Sequence, residues 1–185
     1  MKLRIPYLRS SKPFFMKNLF ILFTAFVLYS CSSVKGVSSA KSAVKNYPPD
    51  TEKIHWLAID EAQEMMKVKP KKMLVDVYTS WCGPCKLLDR TTFSDPQVID
   101  YVGQNYYPVK FNAESADVVK FAGQEYGNPN FNPNNNPRKR NSPHELTRKF
   151  AIRGYPTILV IDEKLEIQDS HIGFKPADEL LKLLK

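Results

Sequence analysis

The segment that most restricts the fold is residues 74–86, LVDVYTSWCGPCK. Its first half, with Leu74, Val75, Val77 and Tyr78, is apolar, β-branched or aromatic, which suits a buried strand. The chain then breaks at Thr79 and Ser80 and presents Cys82 and Cys85 around a Gly83-Pro84 pair. Pro84 suits the first turn of a helix, where its missing N–H leaves no bond unmade. That puts Cys82 at a helix N-terminus, facing unpaired N–H groups and the positive end of the dipole. In such settings a thiol with an ordinary pKa of about 8.5 falls to roughly 3.5–7.5, so the thiolate is stabilised. Cys85 is one helical turn on and can close a disulfide with it. Other uses of the pair stay open at this level. A zinc site needs a second ligand pair, while the remaining Cys31, His55, His144 and His171 are scattered singly. A purely structural disulfide would close too small a loop to stabilise much, and the Gly-Pro turn argues against an inert buried pair.

The formal charge of +8 invites a nucleic-acid reading that its distribution removes. Residues 1–30 hold Lys2, Arg4, Arg9, Lys12 and Lys17 and no acidic residue, leaving 22 of the 27 Lys and Arg against 19 Asp and Glu, a net of +3. That is an ordinary soluble surface, and no nucleic-acid partner is expected. The basic stretch leads into LFILFTAFVLY at 19–29, too short for a comfortable membrane span, and then small residues. Residues 28–31, LYSC, resemble the lipobox of bacterial lipoproteins, which implies cleavage after Ser30 and lipidation of Cys31. An ordinary secretory signal and an uncleaved anchor helix are the alternatives, and all three put the rest of the chain outside the cytoplasm. Met16-Lys17 is the better-placed start of such a signal. Residues 31–50 then form a flexible tether, whose r.m.s. span is about 25 Å.

Beyond the tether, residues 54–57 suit a short strand. Asp60 and Gln63 make a capping box for a helix with Ala62, Met65 and Met66 on its apolar face. The helix opened by Pro84 turns Leu87 and Leu88 inward. Asp95-Pro96 caps another with Val98, Ile99 and Val102 inside. A strand is expected over 106–111, and a helix over 115–126 burying Val118, Val119 and Phe121. Residues 127–141 break the pattern with Asn128, Asn130, Asn132, Asn134, Asn135 and Asn136, three prolines and the basic run Arg138-Lys139-Arg140. They are expected to form a long exposed loop. Ser142 and Glu145 make a second capping box for a helix to about 151, strands follow at 157–162 and 165–172, and Pro176 opens a last helix burying Leu180, Leu181, Leu183 and Leu184. Strands alternating with helices, then a hairpin and a helix, indicate an α/β domain over 51–185.

The sequence WCGPCK at 81–86 resembles the redox motif of the thioredoxin family. Asp76, six residues before Cys82, matches that family's buried carboxylate, and Lys110 its neighbouring lysine. FAIRGYPTILV at 150–160 matches the segment with the family's cis-proline, and Gly173 a glycine before its last helix. The resemblance implies a thioredoxin fold, a central mixed β-sheet flanked by helices on both faces, with residues 127–141 as an insertion. It implies that Cys82 is the exposed attacking thiol and Cys85 the resolving one. Asp76 would take the Cys85 proton with support from Lys110. Trp81, Gly83, Pro84, Tyr155 and a cis Pro156 would receive an extended substrate. The expected activity is reduction of disulfides in proteins of the bacterial envelope by a membrane-tethered monomer facing the periplasm, with the outer membrane preferred. Its redox group is the Cys82–Cys85 pair itself, with no metal or other cofactor, and a transmembrane electron carrier would have to resupply reductant. A non-catalytic adaptor holding extended peptides on the same fold is the competing reading.

Overall fold

The computed structural model describes residues 52–185. The expected signal at 1–30, Cys31 and the tether at 31–50 lie outside the described residues. In chain order the elements are α1 (Ile59–Val68), β1 (Met73–Tyr78), α2 (Gly83–Thr91), α3 (Pro96–Asn105), β2 (Tyr107–Asn112), β3 (Val119–Phe121) and β4 (Gln124–Tyr126). Then come α4 (Glu145–Lys149), β5 (Thr157–Ile161), β6 (Ile167–Ile172) and α5 (Ala177–Leu184). The apolar run of β1 is buried on both faces, which only a strand inside a covered sheet achieves. It pairs in parallel with β2 and antiparallel with β5, and β5 pairs with β6, giving the order β2-β1-β5-β6. This is a thioredoxin fold, with helices on both faces of a mixed sheet.

Alternation along the strands builds two cores. Met73, Val75 and Val77 of β1 join Val109, Phe111, Leu159 and Ile161 against Ala62 and Met66 of α1 and Leu146 at α4. Leu74 faces the other way with Ile158 and Val160, against Leu88 of α2, Val98 and Val102 of α3 and Leu180 of α5. Asp76 is two residues on from Leu74 and therefore lies on the second face, beneath α2. On β2, Lys110 is its direct partner in register.

Several local expectations are corrected. The stretch 54–57 contributes one bridge, Leu57 to Val109, and no strand. Ala58, not Asp60, is the N-cap of α1 and offers no side-chain bond. Gln63 instead reaches across, donating to the Lys120 carbonyl and accepting from the Ala122 N–H. The expected helix over 115–126 is a hairpin. Ala122 and Gly123 both have positive φ, 50° and 82°, the geometry of a tight two-residue turn whose twist suits paired strands. Phe121 is buried on Phe150, ring centroids 5.0 Å apart, whereas Val118 is 67% exposed. Leu87 and Leu183 also face outward, because the buried stripes of α2 and α5 run through Cys85 and Leu88 and through Leu180, Leu181 and Leu184. The cap of α4 is His144, not Ser142: its Nδ1 accepts from the Leu146 N–H, and its Nε2 lies 3.0 Å from the Asp117 carbonyl. That pattern assigns the acceptor role to Nδ1 and the donor role to Nε2.

Residues 127–144 contain no helix or strand, but their neck is built. The Asn128 amide donates to the carbonyls of Ser115 and Ser142, and the Ser142 hydroxyl donates back to Asn128. Gly127 N–H donates to the Glu145 carboxylate, and Glu145 N–H donates to the Gly127 carbonyl.

The hairpin makes a prediction that a helix would not. Phe121→Ala removes a buried ring and should cost about 3–5 kcal/mol, read as a lower urea midpoint at unchanged slope. Val118→Ala should change stability by less than about 0.5 kcal/mol.

Candidate active site

The site begins where β1 ends. Thr79 turns the chain, its carbonyl accepting from the Cys82 N–H, and Cys82 becomes the N-cap of α2 with Pro84 in the first helical turn. The N–H of Cys85 donates to Cys82 Sγ at 3.1 Å, and the two sulfurs are joined in a disulfide. A helix N-terminus is therefore aimed at one of the two sulfurs and not at the other. The expectation that Cys82 is exposed is corrected: it and Cys85 are each 2% exposed. Exposure does not separate the two sulfurs. Their relation to the helix does. Gly83 and Pro84 are the exposed part of the turn.

Asp76 is wholly buried. Lys110 Nζ approaches Oδ2 at 3.1 Å as an ion pair. Burial pushes the Asp76 carboxyl up to about 6, with the Lys110 charge holding it back from rising further. Burial pulls the Lys110 ammonium down, but Asp76 and Asp89 together leave it above its ordinary value. Asp89, on α2, bonds Lys110 directly. The ammonium also lies 4.8 Å from the Trp56 ring centre, 5.2 Å from Tyr78 and 5.9 Å from Phe93. Aromatic faces partly replace the water that this cation has lost. Asp89 was readable, four residues after Cys85 on one helix face. Trp56 and Phe93 carry no such sequence signal.

Outside the sulfurs stands Trp81. Its ring meets Tyr155 edge-on at 5.9 Å, and Tyr155 precedes Pro156 across a cis peptide bond. The Pro156 carbonyl accepts from the N–H of Gly173, whose φ of 86° suits glycine. The Trp81 indole N–H donates to Glu114 Oε2 at 2.9 Å, and the same oxygen accepts from the Asn141 N–H. The guanidinium carbon of Arg140 lies 4.7 Å from the Trp81 ring centre. Burial, then the Glu114 charge, raises the Tyr155 phenol. Glu114, Arg140 and Asn141 were missed from sequence because they are distant along the chain from 81–86.

Comparisons with known proteins agree with this geometry. The family model for the thioredoxin-like domain matches residues 59–185. The thiol:disulfide interchange protein DsbD of Photorhabdus laumondii is 32% identical over 125 residues, which are 66% of this chain and 17% of that one. A thioredoxin of Mycoplasmoides gallisepticum is 27% identical over 115 residues, 62% of this chain and 83% of that one. A solution structure of a candidate disulphide-isomerase from Bacteroides thetaiotaomicron has a TM-score of 0.52 and 29% identity, covering 72% of this chain and 92% of that one. The chain spans about a fifth of the length of the DsbD relatives that it matches. It belongs to the thioredoxin-like domain family.

Asp76 makes a pH prediction. Folded, it holds its proton more tightly than unfolded, so its contribution to stability is complete below the ordinary carboxylate value near 3.8 and is lost as pH rises through about 6. Asp76→Asn should therefore be more stable than the natural chain by about 1–3 kcal/mol at pH 8. The difference should vanish by about pH 4, with Lys110 keeping Asp89 as its partner. Urea unfolding of both proteins at several pH values checks it.

Proposed function

We propose that this member of the thioredoxin-like family reduces disulfides of proteins in the bacterial envelope, held to a membrane through lipid on Cys31. The observation that carries the chemistry is the Cys82–Cys85 disulfide at the N-cap of α2, with the Cys85 N–H on Cys82 Sγ. In the reduced chain the same N–H and the helix dipole favour a thiolate on Cys82. That thiolate attacks one sulfur of a substrate disulfide, forming a mixed disulfide and releasing the first substrate thiolate. The Cys85 thiolate then attacks Cys82 Sγ, closing the protein disulfide and releasing the second. The substrate gains two electrons and the protein dithiol loses two.

Cys85 must give up its proton for the second step. Asp76 would accept it: it lies on the sheet face that α2 covers, and burial pushes its carboxyl up to about 6, close enough to neutral pH to exchange a proton. Lys110 supports its charged form. Trp81, Gly83, Pro84, Tyr155 and Pro156 would receive an extended substrate segment, a reading supported by the Trp81–Tyr155 contact and the exposure of Gly83 and Pro84. The similarity to interchange proteins named DsbD supports the envelope reading, and a transmembrane electron carrier is the donor that this reading requires. No helix among the described residues is long and apolar enough to cross a membrane.

The deciding measurement is the reduction potential of the Cys82–Cys85 pair in the full chain, equilibrated against glutathione buffers. A value around −270 mV is expected of a reductase, whereas one around −120 mV would make the chain a disulfide-forming oxidant. If the pair does not cycle at all, the oxidoreductase reading fails and a peptide-binding adaptor remains.

A further inference from the structure

The loop at 127–141 bears on the redox turn through Arg140. Its placement is fixed from both sides. Asn132 and Asn141 clasp each other across the loop, with the Asn132 N–H donating to Asn141 Oδ1 and the Asn141 amide donating to the Asn132 carbonyl. Asn141 N–H then ties the loop to Glu114, the acceptor of the Trp81 indole N–H. From the tip, the Asn135 amide donates to the Arg140 carbonyl at 2.6 Å. The backbone of Arg140 is thus held one residue from a bond that is shared with the active-site tryptophan.

The Arg140 side chain is exposed, and among the described residues no carboxylate forms an ion pair with it. Glu114, the nearest acid in this network, already accepts two internal N–H bonds through Oε2. Exposed Lys86 follows Cys85 directly, and exposed Arg138, Lys139 and Arg153 lie in the same loop and just before Tyr155. Asp89, the acid on α2, is bonded to Lys110. A substrate segment reaching the sulfurs past Trp81 therefore meets the Arg140 guanidinium and further exposed cations, with the Glu114 carboxylate turned to the Trp81 and Asn141 N–H groups.

We propose that the Asn-rich loop selects substrates: it presents Arg140 over Trp81 so that disulfides flanked by Asp or Glu side chains react preferentially at Cys82. The inference rests on the disulfide-exchange reading above. A carboxylate beside the attacked sulfur is drawn to the guanidinium on approach, and the bonds made and broken in exchange are unchanged.

The test uses three small disulfides whose charge is the main difference: dithiodipropionate (dianionic), hydroxyethyl disulfide (neutral) and cystamine (dicationic). Each is reacted with the reduced full chain, and closure of the Cys82–Cys85 disulfide is followed by alkylation and mass spectrometry. The Cys82→Ser chain, which cannot close that disulfide, supplies the background from the remaining cysteines. The dianionic reagent should outpace the dicationic one by roughly three- to tenfold at low ionic strength, beyond the difference that the same pair shows with free cysteine. That ratio should collapse in Arg140→Glu, return in Arg140→Lys, and shrink in 1 M salt, where the screening length is about 3 Å. An equal ratio in the natural chain and Arg140→Glu overturns the inference. So does an unchanged ratio accompanied by loss of binding of that variant to vesicles of anionic phospholipid, which would make the loop a membrane contact. No reaction above the Cys82→Ser background with any of the three defeats the exchange reading itself, a different result from exchange without charge discrimination.

Discussion

The rest of the site depends on one bond, the N–H of Cys85 donating to Cys82 Sγ. It is the first side-chain cap of α2, and it exists because β1 ends within the sheet and the chain turns directly into a helix. A Ser or Asp there would cap the helix equally well. Sulfur in the same position gives that structural device a chemical use, because what stabilises the start of the helix would also stabilise negative charge on a reduced Cys82. The asymmetry between the two sulfurs therefore lies in the backbone. Cys82 lies at the end of the helix dipole and Cys85 is already inside the first turn, and equal burial of the two leaves this as the physical difference between them.

Much of this was legible along the chain because it is local. Strand β1 was visible as an apolar run, α2 from Pro84 after the turn, and α3 from Asp95-Pro96, whose carboxylate does accept from the Gln97 and Val98 N–H groups. The hairpin at 119–126 was misread because Val118, Val119 and Phe121 fit a helical stripe as well as a strand, and only the positive φ at Ala122 and Gly123 decides between them. His144 as a cap was equally hidden, since imidazole accepts a backbone N–H only in one tautomer, which the Asp117 carbonyl selects. The contacts around Trp81 were unreadable for another reason. They join residues 81, 114, 140, 141 and 155, and no local pattern encodes which of many Asn and Arg residues meets a given ring.

Those long-range contacts change how the Asn-rich loop is understood. Composition alone describes residues 127–141 as a solvated segment without a core, and most of its side chains are exposed. Yet asparagine is suited to bracing a loop without burying it, because one amide both donates and accepts. Asn128 does this at the neck and Asn141 at the tip-side clasp. The loop holds its shape through such bonds instead of apolar contacts, and so it can lie beside a redox turn without covering it with a greasy lid.

The two sides of the redox turn then carry opposite electrostatic designs. Beneath α2, two carboxylates share one ammonium: Asp76 and Asp89 both meet Lys110. With both acids ionised, the cluster carries one excess negative charge in a place where burial opposes it. Burial is what raises the Asp76 carboxyl to about 6 although a lysine stands beside it, and the Asp89 charge adds a smaller push in the same direction. An isolated buried lysine–aspartate pair would behave differently, because protonating the acid would leave the ammonium unpaired in the interior, a costly state. Asp89 removes that penalty by keeping Lys110 partnered in both protonation states. The inner side thus holds an acid that burial raises toward neutrality, and the outer side presents the Arg140 guanidinium over Trp81. In the proposed exchange, the proton and the recognition of charge would fall to separate groups, Asp76 beside Lys110 and Arg140 over Trp81, so either could change without disturbing the other.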